Sequence, residues 1–569
     1  MDPTAETITI RETLALLDGP FEAVASGVAQ NHYAFWLGSG ISLGRVDGLL
    51  KIIPRTLEFL RSNINPGDAN CEFKKSLERA LDLAAPSDEE RKKIDLGQPV
   101  DTWPVAEEFA RRLRNNYARL LDVKVGTEPD DFLLWNGVNV GATYANPLIP
   151  PDVEHLCMAI LVLEGVASEV ATANWDGLVE KAADQLSSAQ PCVVCVSSDN
   201  LKEPDRQSRI YKFHGCAIRA VADEAGYRRF LIARRQQLIA WLSDQEHKAM
   251  VASLLKLALN RPTLIVGLSA QDENVQALFA EAQEKSPWKW DKAKPSLVFS
   301  GEQLGGDQAT LLQNHYLETY TPDNRAAIND GSLIRAYAKQ LLSALVLHVL
   351  GEKLKHLALR VIAALPPADR NEIFNGITKL RDEIASFGKT GSVEFVQQLI
   401  DYQARAISMF RDGRACDVPR PYHPLTSFPV QQIDSDLSLP SSGLCEVGVA
   451  VAILGLGIRD GHWTLELSDV ADLSSGTLRL VTATATAKVL LARDSSAAVR
   501  LRQHSHLVDG DDLIVVHASE IDPAFARSPV KAPGRTGKLG TRDVSIREIL
   551  KGATNIGDVL RDFRVRVAV

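Results

Sequence analysis

The chain has 569 residues, which at roughly one domain per 150 residues predicts two to four units and excludes a single compact core. Hydrophobic residues make up 45% and charged residues 24%, a globular composition rather than a disordered or fibrous one. The net charge of −9 repels a phosphate backbone, so direct nucleic-acid binding is not expected.

The opening MDPTAETITIRETLALL carries acids and no apolar run behind a basic leader, which argues against a secretory signal. A helical pattern leads into HYAFWLGSGIS, where an apolar run stops at glycines and restarts after Leu43, giving strand, tight turn, helix. From about 50 to 165 the chain is helix-rich, as in EEFARRLRNNYARLLDV, and reads as an insertion over a sheet. SEVATANWDGLVEKAADQL repeats the plan of short strand, polar turn and helix. PCVVCVS, RIYKFHG, PTLIVGLSAQDENVQALFAEA and KPSLVFSGE supply further strands. Alternating strands and helices predict an α/β fold, a Rossmann-like doubly wound parallel sheet with its ligand outside the carboxyl ends of the strands.

Residues 304–415 read as a helical region. DVPRPYHPLTSFP, with four prolines, then reads as a linker. Residues 416–569 read as a β-rich C-terminal domain: TLRLVTATATAKVLLA alternates over a strand length, and Asp509-Gly510 marks a hairpin or tight turn. The longest apolar stretch, Val447 to Ile458, is too short and too broken by glycine to span a bilayer, so no membrane association and a cytoplasmic location are expected. Seven cysteines, sparse and odd in number, fit a reducing compartment. Cys192 and Cys195 form a lone CxxC that reads as two small core residues, because a zinc site needs four ligands and no second pair follows.

Three segments carry chemistry. Gly38-Ser39-Gly40-Ile41-Ser42 closes a strand, where glycines let backbone N–H groups approach a phosphate and a helix N-terminus adds partial positive charge; a structural turn has the same pattern. In Thr172-Ala173-Asn174-Trp175-Asp176 an extended chain points Asn174 and Asp176 to one face, able to grip a carboxamide or position a water; helix capping is the alternative. Lys212-Phe213-His214-Gly215 holds a histidine at a strand end. Ser42, Asn174, His214 and Gly267 all fall at predicted strand ends, which a doubly wound sheet gathers along one edge.

The order GSGIS, TANWD, KFHG and then GLS resembles the sirtuins, and more narrowly the sirtuin-like proteins of bacterial antiphage defence, over roughly residues 25 to 305. The resemblance implies a catalytic, NAD-binding domain over 1–303. It implies that Gly38, Ser39, Gly40 and Ser42 line the NAD phosphates, that Asn174 positions the ribose or a water, and that Asp176 receives the nicotinamide carboxamide. His214 is then a general base or a ribose-orienting group, and Gly267 with Ser269 contacts the adenosine side. Two departures stand out. Sirtuin deacylases follow the first loop with Pro-Asp-Phe-Arg, where this chain has Leu43-Gly44-Arg45-Val46-Asp47-Gly48. They also carry a four-cysteine zinc module after the His-Gly pair, where Cys216 is the only cysteine between His214 and Cys416.

The expected activity is therefore hydrolysis of NAD as a substrate, with no zinc, ahead of protein deacylation or a non-catalytic NAD or ADP-ribose sensor. An unrestrained NADase would kill its host, so a homo-oligomer gated by a partner is expected. By family analogy the partner is a HerA-type hexameric ATPase, and otherwise a short prokaryotic Argonaute. The basic loop Lys531 to Arg542 reads as a solvated loop, with a contact to a partner's acidic face or to nucleic acid as the alternative.

Overall fold

The computed structural model describes residues 3–414, 421–467, 478–483, 485–503, 512–523 and 541–567. Its larger sheet has seven strands: β1 (Ala34–Leu37), β2 (Glu169–Thr172), β3 (Cys192–Cys195), β4 (Ser208–Lys212), β5 (Thr263–Val266), β6 (Leu297–Ser300) and β7 (Leu333–Ile334). The spatial order is β3-β4-β2-β1-β5-β6-β7, and every pairing is parallel. This is the doubly wound α/β sheet that the strand–helix alternation predicts.

Each central strand is a short apolar run because both its faces are covered. On β1, Phe35 and Leu37 enter one core with the helices Glu22–Ala29, Val153–Leu163, Leu178–Leu186 and Ala338–Ile362. Ala34 and Trp36 enter the other, against Lys248–Asn260, Glu273–Lys285 and Gly306–Tyr316. The chain passes from β1 to β2 on one side and places β5 on the other, so the sheet's switch point lies at the carboxyl end of β1.

The insertion between β1 and β2 is mostly helical, from Leu49–Ser62 to Val153–Leu163, and buries a small core of its own around Leu57, Leu81 and Phe109. Sheet membership runs past the expected boundary at 303, since β7 belongs to it. The helices Ala338–Ile362, Pro367–Gly388 and Val393–Asp412 follow. Among the described residues no helix is long and apolar enough to cross a membrane.

A second sheet lies at the C-terminus: β8 (Thr464–Leu467), β9 (Leu478–Val481), β10 (Thr486–Ala492), β11 (Asp512–His517) and β12 (Arg542–Ser545), ordered β12-β11-β10-β9-β8. Its strands begin only after the helix Leu444–Arg459, which holds the Val447 to Ile458 stretch and packs with Pro367–Gly388 on one sheet face.

Two local readings change, and a third lies outside the described residues. The stretch read as one alternating strand is the antiparallel hairpin of β9 and β10, closed without a glycine by Thr482: its N–H donates to Ala485 O at 2.9 Å, and its Oγ1 accepts from Ala485 N at 3.0 Å. Asp509-Gly510 lies outside the described residues, as do 531–540 of the basic loop; β11 runs parallel to β10 with the helix Ser495–Gln503 between them, so no hairpin joins that pair. In the proline-rich segment, Tyr422, Leu425 and Thr426 are buried, Tyr422 in the core that holds Phe35 and Leu37, and Leu425 in a separate cluster with Leu357, Ile407 and Phe410. Tyr422 N–H donates to Leu186 O at 2.9 Å, and Tyr422 Oη donates to Glu164 Oε1 at 2.6 Å. The described part of this segment is a packed strap.

Candidate active site

The loops that follow β1, β2, β4 and β5 meet at the switch point and line a cleft of about 210 Å³. Ser39 and Ser42 come from the first loop, Asn174 and Asp176 from the second, His214 from the third, and Gly267 and Ser269 from the fourth. Tyr117, Leu121, Val138 and Tyr144 of the helical insertion wall the other side. Tyr144 packs edge-on to Trp175 with ring centroids 5.2 Å apart.

Gly38 and Gly40 sit behind this lining, packed on Gly267. A Cβ on Gly38 would lie 2.4 Å from Gly267 O, and one on Gly40 2.6 Å from Gly267 Cα. Gly267 itself has φ of +70°, the left-handed region that favours glycine. The Gly38 N–H donates to Val266 O at 3.0 Å and the Gly40 N–H to Gly267 O at 2.9 Å, so these donors tie two loops together. Ser39–Ser42 is one 3-10 turn rather than the opening of a helix; the next helix begins at Leu49, after the Leu43-to-Gly48 loop.

Ser42 is the hub of the polar cluster. Its Oγ donates to Asp176 Oδ2 at 3.0 Å and lies 3.1 Å from His155 Nε2. Asn174 Nδ2 donates to Gly38 O at 3.1 Å and, at 3.4 Å, to Ser42 Oγ. Both amide hydrogens are thereby used, and the Asn174 carbonyl Oδ1 is the end left for a ligand. Asp176 is held from behind: the Leu178 N–H donates to its Oδ1 at 3.2 Å, and the buried Lys212 Nζ donates to its backbone carbonyl. Lys212 also pairs with Glu180 at 2.9 Å.

His214 has one partner that sequence reading missed. Asn274, at the start of the helix Glu273–Lys285, places Nδ2 2.8 Å from His214 Nε2. The Val275 N–H donates to Asn274 Oδ1 at 3.0 Å, which orients the amide with its NH2 toward the ring. His214 Nε2 is therefore the acceptor. Burial lowers the His214 pKa, so the ring is neutral near pH 7 with its proton on Nδ1. Its one lone pair is occupied, and of the two roles open to it the orienting one fits this arrangement.

His155 and Asp152 are the other missed residues. Asp152 caps the helix Val153–Leu163, donates its own N–H to His155 Nδ1 at 3.0 Å, and receives Arg45 Nε at 2.9 Å. Arg45 lies in the loop that departs from the sirtuin pattern. The available signal was Pro-Pro-Asp ahead of an apolar run, with histidine at the third helical position where a capping box takes Glu or Gln. Cys192 and Cys195 bound β3, Cys195 buried and Cys192 partly so.

A second hollow of about 590 Å³ adjoins the cleft, sharing Tyr117, Gln271 and Asp272 with it, and its rim carries the exposed Arg114, Arg119 and Arg235 together with Asp272, Glu273 and Asp307. The cleft offers a carboxylate, an amide carbonyl and a neutral imidazole around a small volume, and the hollow beside it carries charges of both signs.

A family model described as SIR2-like domain matches residues 168–320. The match takes in Asn174, Asp176, His214, Gly267 and Ser269 and begins after the Gly38-to-Ser42 loop. It supports a sirtuin-like family for this stretch and, with it, NAD-related activity. No curated protein matches the chain.

Proposed function

We propose that the protein is an NAD glycohydrolase that releases nicotinamide and ADP-ribose. The observation that carries this reading is the hydrogen-bonded cluster of Asn174, Ser42 and Asp176 in one cleft with His214 at the sheet's switch point. In NAD the pyridinium nitrogen already carries positive charge. Breaking its bond to C1′ sends the electron pair to that nitrogen, and nicotinamide leaves neutral. A water oxygen bonds to C1′ and gives up a proton to solvent. The reaction asks for orientation more than for a strong base. Asp176 accepts the carboxamide N–H of nicotinamide, Asn174 Oδ1 accepts from the attacking water, and His214 orients the ribose. The cleft takes the nicotinamide riboside end, and the adjoining hollow, with charges of both signs on its rim, takes the rest of the molecule.

Purified protein is incubated with NAD alone, and with NAD plus an acylated peptide. Nicotinamide release from NAD alone is the expected result. Release only with the peptide would replace the proposal with deacylation, and binding without release would replace it with a sensor. The proposal extends to control: a homo-oligomer in antiphage defence, gated by a HerA-type ATPase or otherwise a short Argonaute. A monomer by light scattering with full activity alone would overturn that extension.

A further inference from the structure

The helix Val153–Leu163 delivers to the cleft a histidine that belongs to none of the loop motifs. His155 is wholly buried, and burial holds its pKa below the ordinary imidazole value, so the ring is neutral. Its Nδ1 receives the Asp152 N–H at 3.0 Å, which makes Nδ1 the acceptor and places the ring's single proton on Nε2. That nitrogen lies 3.1 Å from Ser42 Oγ. The hydroxyl thus accepts from His155 and keeps its own hydrogen for Asp176 Oδ2 at 3.0 Å. The opposite tautomer would draw the Ser42 hydrogen toward His155 and turn hydroxyl lone pairs against the carboxylate. A backbone N–H at a helix cap therefore decides the direction of a chain of hydrogen bonds ending in the cleft.

We infer that His155 is a positioning residue for the proposed NAD cleavage, acting through Ser42: it fixes the direction of the Ser42 hydroxyl, and with it the Asp176 carboxylate that receives the carboxamide and the Asn174 amide that faces the attacking water. The inference rests on the proposed reaction and adds to it a group that never touches the substrate. Loss of the His155 donor frees Ser42 to rotate and leaves Asp176 and Asn174 less often poised together, a deficit of the bound complex. It is expected in kcat more than in KM.

Two substitutions separate this role from a structural one. His155→Asn keeps a side-chain acceptor near the Nδ1 position for the helix cap and removes the donor to Ser42. His155→Gln places an amide donor near the Nε2 position. The expected result is a fall in kcat of about tenfold or more for His155→Asn, with KM for NAD within about threefold of the parent, and His155→Gln recovering most of the loss. Ser42→Ala should match His155→Asn, and the double variant should lose no more than either alone. Unchanged kcat in His155→Asn, or losses that multiply in the double variant, would overturn the inference. Failure of the proposed reaction looks different, since the parent protein then releases no nicotinamide. In that case 15N spectra of histidine-labelled, ligand-free protein decide: a protonated Nε2 and unprotonated Nδ1 at His155 are expected, with the Nε2 signal moving in Ser42→Ala. The opposite tautomer would sink the assignment whatever the protein catalyses.

Discussion

Replacing Lys353 by Met removes one ammonium from a fully buried site. The Lys353 side chain is 0% exposed and that of Glu164 is 1% exposed. Lys353 Nζ donates to Glu164 Oε2, Glu164 O and Thr426 O, each at 2.6 Å. Lys353→Met leaves two carbonyls without that donor and a buried carboxylate held, among the described residues, by Tyr422 Oη at 2.6 Å and the Leu425 N–H at 3.2 Å. Breaking one partner out of a buried pair costs about 3–5 kcal/mol, most of it the stranded charge. Urea unfolding followed by circular dichroism should lower the stability of the transition that includes the larger sheet by that amount. The double variant Lys353→Met with Glu164→Gln, which strands no charge, should recover about half of it. Stability of Lys353→Met within about 1 kcal/mol of the parent would refute the reasoning, because it would mean that water or another cation reaches Glu164.

Ala at Asn174 or at His214 should lower nicotinamide release about 100-fold or more with the circular dichroism spectrum unchanged, and normal turnover in both would remove the mechanism. Gly38→Ala forces a methyl to within 2.4 Å of Gly267 O; a loss of about 1–3 kcal/mol in unfolding free energy, with impaired turnover, is expected, and a silent substitution would mean that the two loops are not packed as described. Burial lowers the His214 pKa, so if its neutral form is required the acid limb of the kcat/KM profile has its midpoint below the ordinary imidazole value of about 6.5; a midpoint at or above that value contradicts the assignment. Burial pushes His315 down to about 3, so between that value and the unfolded pKa the unfolded chain binds the extra proton. Its contribution is complete above about pH 6.5 and declines by about 1.4 kcal/mol per pH unit below it, so the acid stability loss in His315→Gln should be shallower by that slope.

The strand-end motifs were legible because each announces itself locally, as an apolar run stopped by glycine or by a small polar residue. The parallel sheet then gathers Ser42, Asn174, His214 and Gly267 without help from any other part of the chain. What escaped was whatever depends on a distant partner. His155 follows Glu154 at the start of a helix that is apolar from Leu156 onward, and only its capping position marks it, while its partner Ser42 lies far earlier in the chain. Asn274 follows two acids at a helix start and reads as solvated until His214 is placed against it. The proline-rich strap reads as exposed because prolines report backbone geometry, whereas the burial of Tyr422 and Leu425 is set by Glu164. The turn at Thr482 was hidden for a different reason, since a hydroxyl does there what a glycine or asparagine does in most hairpins.

The helix Val153–Leu163 has eleven residues, all buried, and is therefore a rod about 16 Å long with no face in water. One end carries the imidazole that touches Ser42; at the other, Glu164 is gripped by Lys353 and by the strap at Tyr422 and Leu425. A rigid rod held at both ends cannot move at one without moving at the other. The strap and the Ser42 hydroxyl are thus joined through one helix rather than by the hundreds of residues between them in the chain.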